Sequence, residues 1–254
     1  MSVLDFISKN LTRYKSYPIY RKEHRLVIQE ISDYFEISRN DAIRRILNGP
    51  NIARDEWLLA NPITAEQMIQ AYGNSEGYIY DLTWFNNFSS YEFAFRRRIG
   101  EECKEAKRFL DYGGGIGSMS IHISQSTKGQ CELVHYDVPG KCYSYAKWRL
   151  ERRGIHASFI EADDDHDPLH GSFDAITCLE VLEHVADPVL HAKRIVRHLK
   201  PNGQLFVTAP FGNTEKHPQH RDFTKTADQL LSEVGMEPVN FGLFGAFTKW
   251  IKLR

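Results

Sequence analysis

The sequence lacks long apolar runs and any marked excess of one charge. No stretch approaches the ~18 consecutive apolar residues that a membrane-spanning helix requires. Asp5 interrupts the only apolar stretch at the N terminus, which is not typical of a secretory signal. The 32 basic and 33 acidic side chains nearly cancel, whereas general nucleic-acid binders usually carry a basic excess. We therefore expect a cytoplasmic protein that binds neither membranes nor nucleic acids.

Cysteine is scarce and is not arranged for metal binding. No two of the cysteines form a C-x-x-C pair, so the usual pattern of a thiolate zinc site is missing. In a cytoplasmic protein we expect reduced thiols. Otherwise the composition is ordinary for a folded protein, with 42% hydrophobic and 26% charged residues. The length of 254 residues predicts one large domain or one domain with an appendage.

The predicted secondary structure changes near residue 105. Before it, helix signals dominate, and Ser38, Thr64 and Ser89 each stand where a side chain caps the first turn of a helix. After it, short apolar runs alternate with helical stretches, which is typical of a doubly wound parallel sheet. We predict a helical N-terminal cap over residues 1–104, acting as a substrate lid, and an α/β domain over residues 105–254.

Five apolar runs predict parallel strands, and two more at the C terminus predict a hairpin. The predicted strands cover residues 108–111, 131–137, 157–161, 173–179, 204–209, 238–243 and 247–253. Only Gly242 to Ala246 separate the last two runs, which is too short for a crossover helix. These two strands must therefore pair antiparallel.

The most informative stretch joins the first predicted strand to the following helix. It reads D-x-G-x-G-x-G and includes Asp111, Gly113, Gly115 and Gly117. Glycine here permits positive φ and close approach of a ligand to the backbone, and α/β sheets bind ligands at the carboxyl ends of their strands. The dinucleotide pattern G-x-G-x-x-G is not met, because serine replaces the third glycine in either register, and the Gly-Lys-Ser/Thr of a P-loop is missing.

Acidic residues follow the strands and narrow the choice of ligand. Asp137 ends the second predicted strand, 20 residues beyond Gly117, where an acid accepts hydrogen bonds from both ribose hydroxyls. Asp163 and Asp164 follow the third strand. Asp111 at the loop would repel a pyrophosphate but attract an ammonium. A ligand with a ribose, an amine, a positive sulfur and no phosphate fits, and S-adenosylmethionine is that ligand.

In order and spacing, these motifs resemble those of class I S-adenosylmethionine-dependent methyltransferases. The resemblance covers about residues 105–254 and also includes the run 173–185 (FDAITCLEVLEHV) and the turn 199–205. It implies a Rossmann-like seven-stranded sheet whose last strand is antiparallel, in agreement with the hairpin. It also implies contacts to S-adenosylmethionine from the three glycines (methionine part), Asp137 (ribose), Asp163 or Asp164 (adenine), and Asp111 and Leu179.

A second group of reactive side chains follows the fourth and fifth strands. Glu180, Glu183 and His184 form an E-x-x-E-H pattern, and His217 and His220 follow the fifth strand towards the same cleft. Two carboxylates and two imidazoles can bind a divalent metal. The pattern resembles that of metal-dependent RNA 3′-terminal 2′-O-methyltransferases and of ubiquinone-pathway O-methyltransferases. However, L-E-H-V after the fourth strand is also widespread in methyltransferases without a metal, where His184 would be structural or cap a helix.

The predicted function is methyl transfer from S-adenosylmethionine to an O, N or C atom of a small molecule. Where the acceptor must lose a proton, His184, His220 and Glu183 are the candidate bases. One alternative is a metal-assisted O-methyltransferase acting on RNA 3′ ends or quinone precursors, and another is a non-catalytic S-adenosylmethionine-binding scaffold.

The acceptor is expected to meet aromatic side chains of the N-terminal part. Eight aromatic residues fall within the 18 residues from Tyr78 to Phe95. They predict packing of the cap onto the sheet and an aromatic lid over a substrate pocket. Arg96 to Arg98 predict a solvated helix face, with a site for a carboxylate or phosphate as the alternative.

Overall fold

The computed structural model describes residues 3–163, 166–212, 214–239, 241 and 249–253, with side chains from residue 17 onward. In this part of the chain seven strands form one mixed sheet in the order β3-β2-β1-β4-β5-β7-β6. The strands are β1 (Arg108–Tyr112), β2 (Glu132–Asp137), β3 (Ala157–Glu161), β4 (Phe173–Leu179), β5 (Leu199–Thr208), β6 (Met236–Val239) and β7 (Lys249–Lys252). The first five run parallel. β7 runs antiparallel to both β5 and β6.

This topology confirms the predicted fold class and the C-terminal hairpin. β5 begins earlier than predicted, because Leu199 already pairs with Phe173 before an irregularity in the register. Most of the segment between β6 and β7 lies outside the described residues. The predicted bounds of the hairpin strands can therefore be compared with the structure only at Met236–Val239 and Lys249–Lys252.

The cap is helical, and three of its helices begin where the sequence places capping side chains. They are α1 (Val3–Tyr34), α2 (Arg39–Leu47), α3 (Gly49–Ala60), α4 (Ala65–Asn74), α5 (Gly77–Thr83), a π-helical turn (Trp84–Phe88) and α6 (Ser90–Glu102). Ser38, Thr64 and Ser89 each accept a hydrogen bond from the backbone N–H three residues later. α2 ends just before Gly49, which begins α3 directly.

The remaining helices flank the sheet. They are α7 (Ser118–Ser126), α8 (Lys141–Arg152), α9 (Pro188–His198) and α10 (Ala227–Glu233). Asp187 caps α9 by accepting hydrogen bonds from the N–H groups of Val189 and Leu190, and Pro188 occupies the first turn as predicted. In the described chain, none of the helices combines the length and apolar character that crossing a membrane requires.

Cap and sheet share their hydrophobic cores. Ile31 of α1 and Tyr80 of α5 belong to one buried cluster with Ile116 and Tyr145 of the sheet part. Phe95 of α6 belongs to another with residues of β1, β2 and α7. The division at residue 104/105 therefore stays a prediction. α6 packs on a face of the sheet and on α7, while α4 and α5 contact α8.

A buried ion cluster adds a polar link between α1 and α8. Arg149 is 1% exposed and donates through Nε to Glu30 at 2.8 Å, and Arg153 contacts Glu23 at 2.6 Å and Glu30 at 2.5 Å. Two acids and two arginines make the cluster neutral, which is the condition for burying such charges at tolerable cost. Arg149 also donates to the carbonyl of Ile116 at 3.0 Å, so the cluster is joined to the glycine loop.

Candidate functional site

A cavity of about 650 Å³ lies at the carboxyl ends of the central strands, under the cap. Its sheet side includes the glycine loop, Asp137, Leu179, Glu180 and His184. Its cap side includes Met68, Tyr72, Tyr78, Asp81, Leu82, Trp84, Phe85 and Arg96, and the segment after β5 adds Lys216, His217 and His220. The structure thus brings together residues from the cap, the glycine loop and the E-x-x-E-H segment.

The glycine loop has a shape that other residues would not fit. Gly113, Gly115 and Gly117 have φ values of 69°, 53° and 73°. A Cβ on Gly113 would lie 2.3 Å from Val181 Cγ2, and one on Gly115 would lie 2.9 Å from Leu82 Cδ1. Positive φ and the lack of space both require glycine here, and bare backbone is left facing the cavity.

Asp137 holds this loop and faces the same cavity. Its Oδ2 accepts the N–H of Gly115 at 2.5 Å, and its Oδ1 accepts the N–H of Val138 at 2.7 Å. Burial raises the pKa of the carboxyl to about 6, although the two N–H groups act in the opposite direction. Each carboxylate oxygen has a further lone pair, so Asp137 can position the loop and still accept ligand hydroxyls.

Asp111 lies at the floor of the cavity and is mostly committed to the protein. It is 4% exposed, and it accepts hydrogen bonds from Thr177 Oγ1 at 2.9 Å and Ser120 Oγ at 3.4 Å. Burial raises its pKa to about 6, with a further contribution from the charge of Asp137. A direct contact of Asp111 with a ligand ammonium stays a prediction.

The acids after β3 are less clearly placed. Asp163 accepts the backbone N–H of His166 through Oδ1 at 3.0 Å, and its carbonyl accepts from Arg194 at 2.7 Å. The described cavity wall includes the preceding Ala162 rather than Asp163. Asp164 lies outside the described residues. Adenine recognition by either acid stays a prediction.

The E-x-x-E-H segment begins with a left-handed residue. Glu180 has φ 57°, and its N–H donates to the carbonyl of Thr208 at 2.9 Å. A non-glycine residue in this conformation is often found at a functional site. Glu183 is fully buried, and neither of its carboxylate oxygens has a hydrogen-bond partner among the described residues. Burial and the negative charge of Glu180 raise the pKa of Glu183 to about 9.

The two imidazoles are oriented with one nitrogen free. His184 Nδ1 is 2.8 Å from Tyr72 Oη and 3.3 Å from the carbonyl of Gln219, and His220 Nδ1 is 3.2 Å from the carbonyl of Gly212. A carbonyl oxygen only accepts, so a proton on Nδ1 satisfies the carbonyl contact of each ring, and in that tautomer a neutral Nε2 keeps its lone pair. Burial and the charge of His220 lower the pKa of His184 to about 3, which keeps the ring neutral.

Glu183, His184 and His220 are close enough to share one ligand. A carboxylate oxygen and one nitrogen of each ring all lie within 4.8 Å of one another. Two free imidazole nitrogens and an unpartnered buried carboxylate form a donor set that suits a divalent transition metal. Here the structure brings together all three candidate bases, of which His184 and His220 line the cavity while Glu183 is buried behind its wall. Glu180 and His217 line the cavity but are not part of this cluster.

The predicted solvated helix face of Arg96 to Arg98 is wrong for Arg96. It does not lie on a solvated helix face, because it is 5% exposed and packs over the ring of Phe85 at 5.2 Å from the centroid. The spacing to Glu92, which it contacts at 2.6 Å, and the aromatic residues around it explain its burial. Of the eight aromatics, Tyr78, Trp84 and Phe85 line the cavity, while Phe93 and Phe95 are core residues.

Asp81 and Tyr72 are cavity residues that the sequence reasoning missed. Burial raises the pKa of Asp81 to about 6, and its carboxylate has no partner among the described residues. An acid within an aromatic run was the available signal for Asp81. Tyr72 reaches His184 across 112 residues of sequence, and no local pattern predicts such a contact.

Comparison with known proteins agrees with this geometry. A family model described as a methyltransferase domain matches residues 86–237. The ubiquinone biosynthesis O-methyltransferase of Dechloromonas aromatica is 34% identical over 104 residues, which cover 40% of this chain and 44% of that protein. The demethylmenaquinone methyltransferase of Thermus thermophilus is 31% identical over 133 residues, covering 50% and 59%.

A solved structure shares the fold. Human N-acetylserotonin methyltransferase in complex with S-adenosylmethionine superposes with a TM-score of 0.56 at 20% identity, over 82% of this chain and 65% of that one. The chain spans about half the length of the curated relatives it matches. Because the family model covers more than half of the chain, the chain belongs to the class I S-adenosylmethionine-dependent methyltransferase family.

Proposed function

We propose that the protein transfers the methyl group of S-adenosylmethionine to a small-molecule acceptor. One observation carries this proposal. The glycine loop is hydrogen-bonded to Asp137 on one side of the cavity, and aromatic residues of the cap line the other side. Backbone without side chains suits the methionine part of the donor, and Asp137 has free lone pairs for ribose hydroxyls. Arg96 lies buried at the cavity wall, where its guanidinium pairs with Glu92 at 2.6 Å and keeps further N–H groups for the donor carboxylate.

The chemistry that these residues support is an in-line displacement at the sulfonium methyl. Because the thioether is already a good leaving group, the protein chiefly contributes alignment and exclusion of water. Orientation alone can contribute ~7–11 kcal/mol to such a reaction. The apolar wall formed by Met68, Trp84 and Phe85 suits a partly apolar, aromatic acceptor.

Calorimetric titration with S-adenosylmethionine and S-adenosylhomocysteine tests the donor site. We expect micromolar binding in wild type, weakening by about 10-fold or more in Asp137→Asn, because one charge-assisted hydrogen bond is worth ~1.5–3 kcal/mol. The exposed Asp55→Asn is the matched control and should leave binding unchanged. Equal binding by Asp137→Asn would refute the placement of the donor, whereas binding without turnover on a broad acceptor panel would favour the scaffold function.

A second candidate, metal-assisted O-methyl transfer, is favoured by the unpartnered carboxylate of Glu183. Glu183, His184 and His220 would hold a divalent cation, with Glu180 beside them. Such a cation, when bound, lowers the pKa of an acceptor hydroxyl and orients it. The residues of this chain supply the ligand atoms, and Tyr72 and the carbonyls of Gln219 and Gly212 hold the two rings in the metal-binding tautomer.

Metal binding can be measured without reference to activity. We expect Mn²⁺ to bind wild type in calorimetry, and Glu183→Gln to abolish this binding, while the exposed Glu101→Gln does not. Turnover should be lost in EDTA and restored by Mg²⁺ or Mn²⁺. Full turnover in EDTA together with no Mn²⁺ binding would reject the metal and leave His184 with a structural role.

A further inference from the structure

A second cavity of about 210 Å³ opens beside the main one. Met68, Gln219 and His220 line both cavities, so the two share a wall. The rest of the second cavity is lined by Trp57, Leu58, Asn61, Pro62, Pro218 and Arg221. We call it the side cavity. It adjoins the main cavity at His220, on the E-x-x-E-H side rather than at the glycine loop.

The charged group of the side cavity is Arg221. Its Nη1 donates to Met68 Sδ at 3.2 Å, and a thioether is a weak acceptor. Among the described residues no carboxylate lies within 4 Å of its guanidinium nitrogens. The residue is partly buried, and its backbone N–H donates to the carbonyl of Glu183 at 2.8 Å. Arg221 is thus a positioned cation without a matching anion.

The neighbours of Arg221 suit a planar organic ligand. Trp57 is 7% exposed and packs on Tyr72 with the ring centroids 4.9 Å apart, so one wall is aromatic. Gln219 Oε1 is buried and has no hydrogen-bond partner among the described residues, which leaves an acceptor for a hydroxyl or N–H. A partly desolvated guanidinium between such walls gains most from an anion that it can bind with two N–H groups.

We propose that the side cavity binds a carboxylate of the methyl acceptor, which makes the acceptor an aromatic or unsaturated hydroxy acid. This inference rests on the proposed function and names its substrate class. A carboxylate is favoured over a phosphate, because the one guanidinium that lines this cavity neutralises one charge and not two.

The test compares acids with their neutral esters. Protein saturated with S-adenosylhomocysteine is titrated with 3,4-dihydroxybenzoate and 3,4-dihydroxycinnamate, and then with the methyl ester of each. The ring hydroxyls are the same within each pair, so only the charge differs. We expect at least one acid to bind wild type about 10-fold or more tightly than its ester, as one charge-assisted contact predicts.

Variants at the guanidinium locate the source of this preference. Arg221→Gln should abolish the difference between acid and ester, and Arg221→Lys should keep part of it, since the charge remains but the two-pronged contact is lost. Arg44→Gln, whose side chain is 79% exposed on α2, is the matched control and should keep the full difference. Where turnover is measured, Arg221→Gln should raise KM for the acid with a smaller change in kcat.

Three results would overturn the proposal. One is equal binding of acids and esters by wild type. Another is a preference for acids that survives in Arg221→Gln with an unchanged thermal unfolding profile. A phosphate ester that binds more tightly than the carboxylate would also reject the assignment. Failure of S-adenosylhomocysteine itself to bind would instead overturn the proposed function, so the two failures are distinguishable.

Discussion

Replacing Glu30 by Gln tests the link between cap and sheet. Glu30 is 4% exposed, and its carboxylate contacts Arg149 at 2.8 Å and Arg153 at 2.5 Å. The four-charge cluster is neutral in wild type, and the substitution leaves one unmatched positive charge in the interior. Breaking a buried ion pair from one side typically costs ~3–5 kcal/mol. For a chain of this size we expect Tm to fall by roughly 6–20 °C.

The same substitution should weaken donor binding in the protein that remains folded. Arg149 donates to the carbonyl of Ile116 and to Ser118 Oγ, at the end of the glycine loop. Losing Glu30 frees Arg149 to reorient, so the loop loses one of its anchors. Chemical unfolding and titration with S-adenosylhomocysteine measure the two effects separately, and the exposed Glu101→Gln is the control for both.

The pH dependence of stability follows from the same contacts. Burial raises the pKa of Glu30, but the charges and hydrogen bonds of Arg149 and Arg153 outweigh burial, and the pKa lies below its usual value. A carboxyl group whose pKa is lower in the folded than in the unfolded state stabilises the fold at pH values above its unfolded-state pKa. This stability is lost as the pH falls through the folded-state pKa. Glu30→Gln should therefore reduce the acid sensitivity of unfolding. If Glu30→Gln lowers the free energy of unfolding by less than about 1 kcal/mol, which is the range of exposed ion pairs, the reasoning is refuted.

Three further predictions concern the cavity. Donor affinity should be constant above pH 7 and fall below about 6, because the Asp137 carboxyl protonates there and the ionised form binds the ribose; Asp137→Asn should flatten this part of the titration curve. Gly113→Ala should weaken donor binding by about 10-fold or more, since positive φ costs ~1–2 kcal/mol in a residue with a Cβ and Val181 occupies the space, while adding Val181→Ala should restore part of the loss. Asp81→Asn should raise thermal stability, because burial disfavours the ionised carboxylate and so raises its pKa. The same substitution should lower turnover. Reduced stability with unchanged turnover would contradict a ligand-binding role for Asp81.

The conformation of the glycine loop and the position of Asp137 beside it could be predicted because their signals are local. The three alternating glycines predict backbone with positive φ, which the structure has at all three. Asp137 follows an apolar run that predicts a strand from the sequence alone. The caps at Ser38 and Thr64 involve side chains three residues from their partners. Interactions of this kind are encoded within a few positions, so patterns of spacing suffice.

The cap half could not be predicted, because its residues meet the site through packing. Arg96 was expected on a solvated face, but it is buried where it pairs with Glu92 and packs over the ring of Phe85 in the π-helical turn. Arg221 contacts Met68 across 153 residues of sequence. Such contacts depend on how α4 to α6 lie over the strand ends, which hydrophobic periodicity within each helix does not determine.

Close contacts tie the cap to the loops that follow β1 and β2. A Cβ on Gly73 of α4 would lie 2.5 Å from the carbonyl oxygen of Pro139, and Leu82 of α5 occupies the space beside Gly115. No layer of water fits between surfaces packed so closely, so a displacement of α4 or α5 also displaces the loops after β1 and β2. Methyl transfer depends on the alignment of donor and acceptor. In the proposed reaction the cap fixes that alignment from both sides, by contacting the loops proposed to bind the donor and by forming the wall proposed for the acceptor.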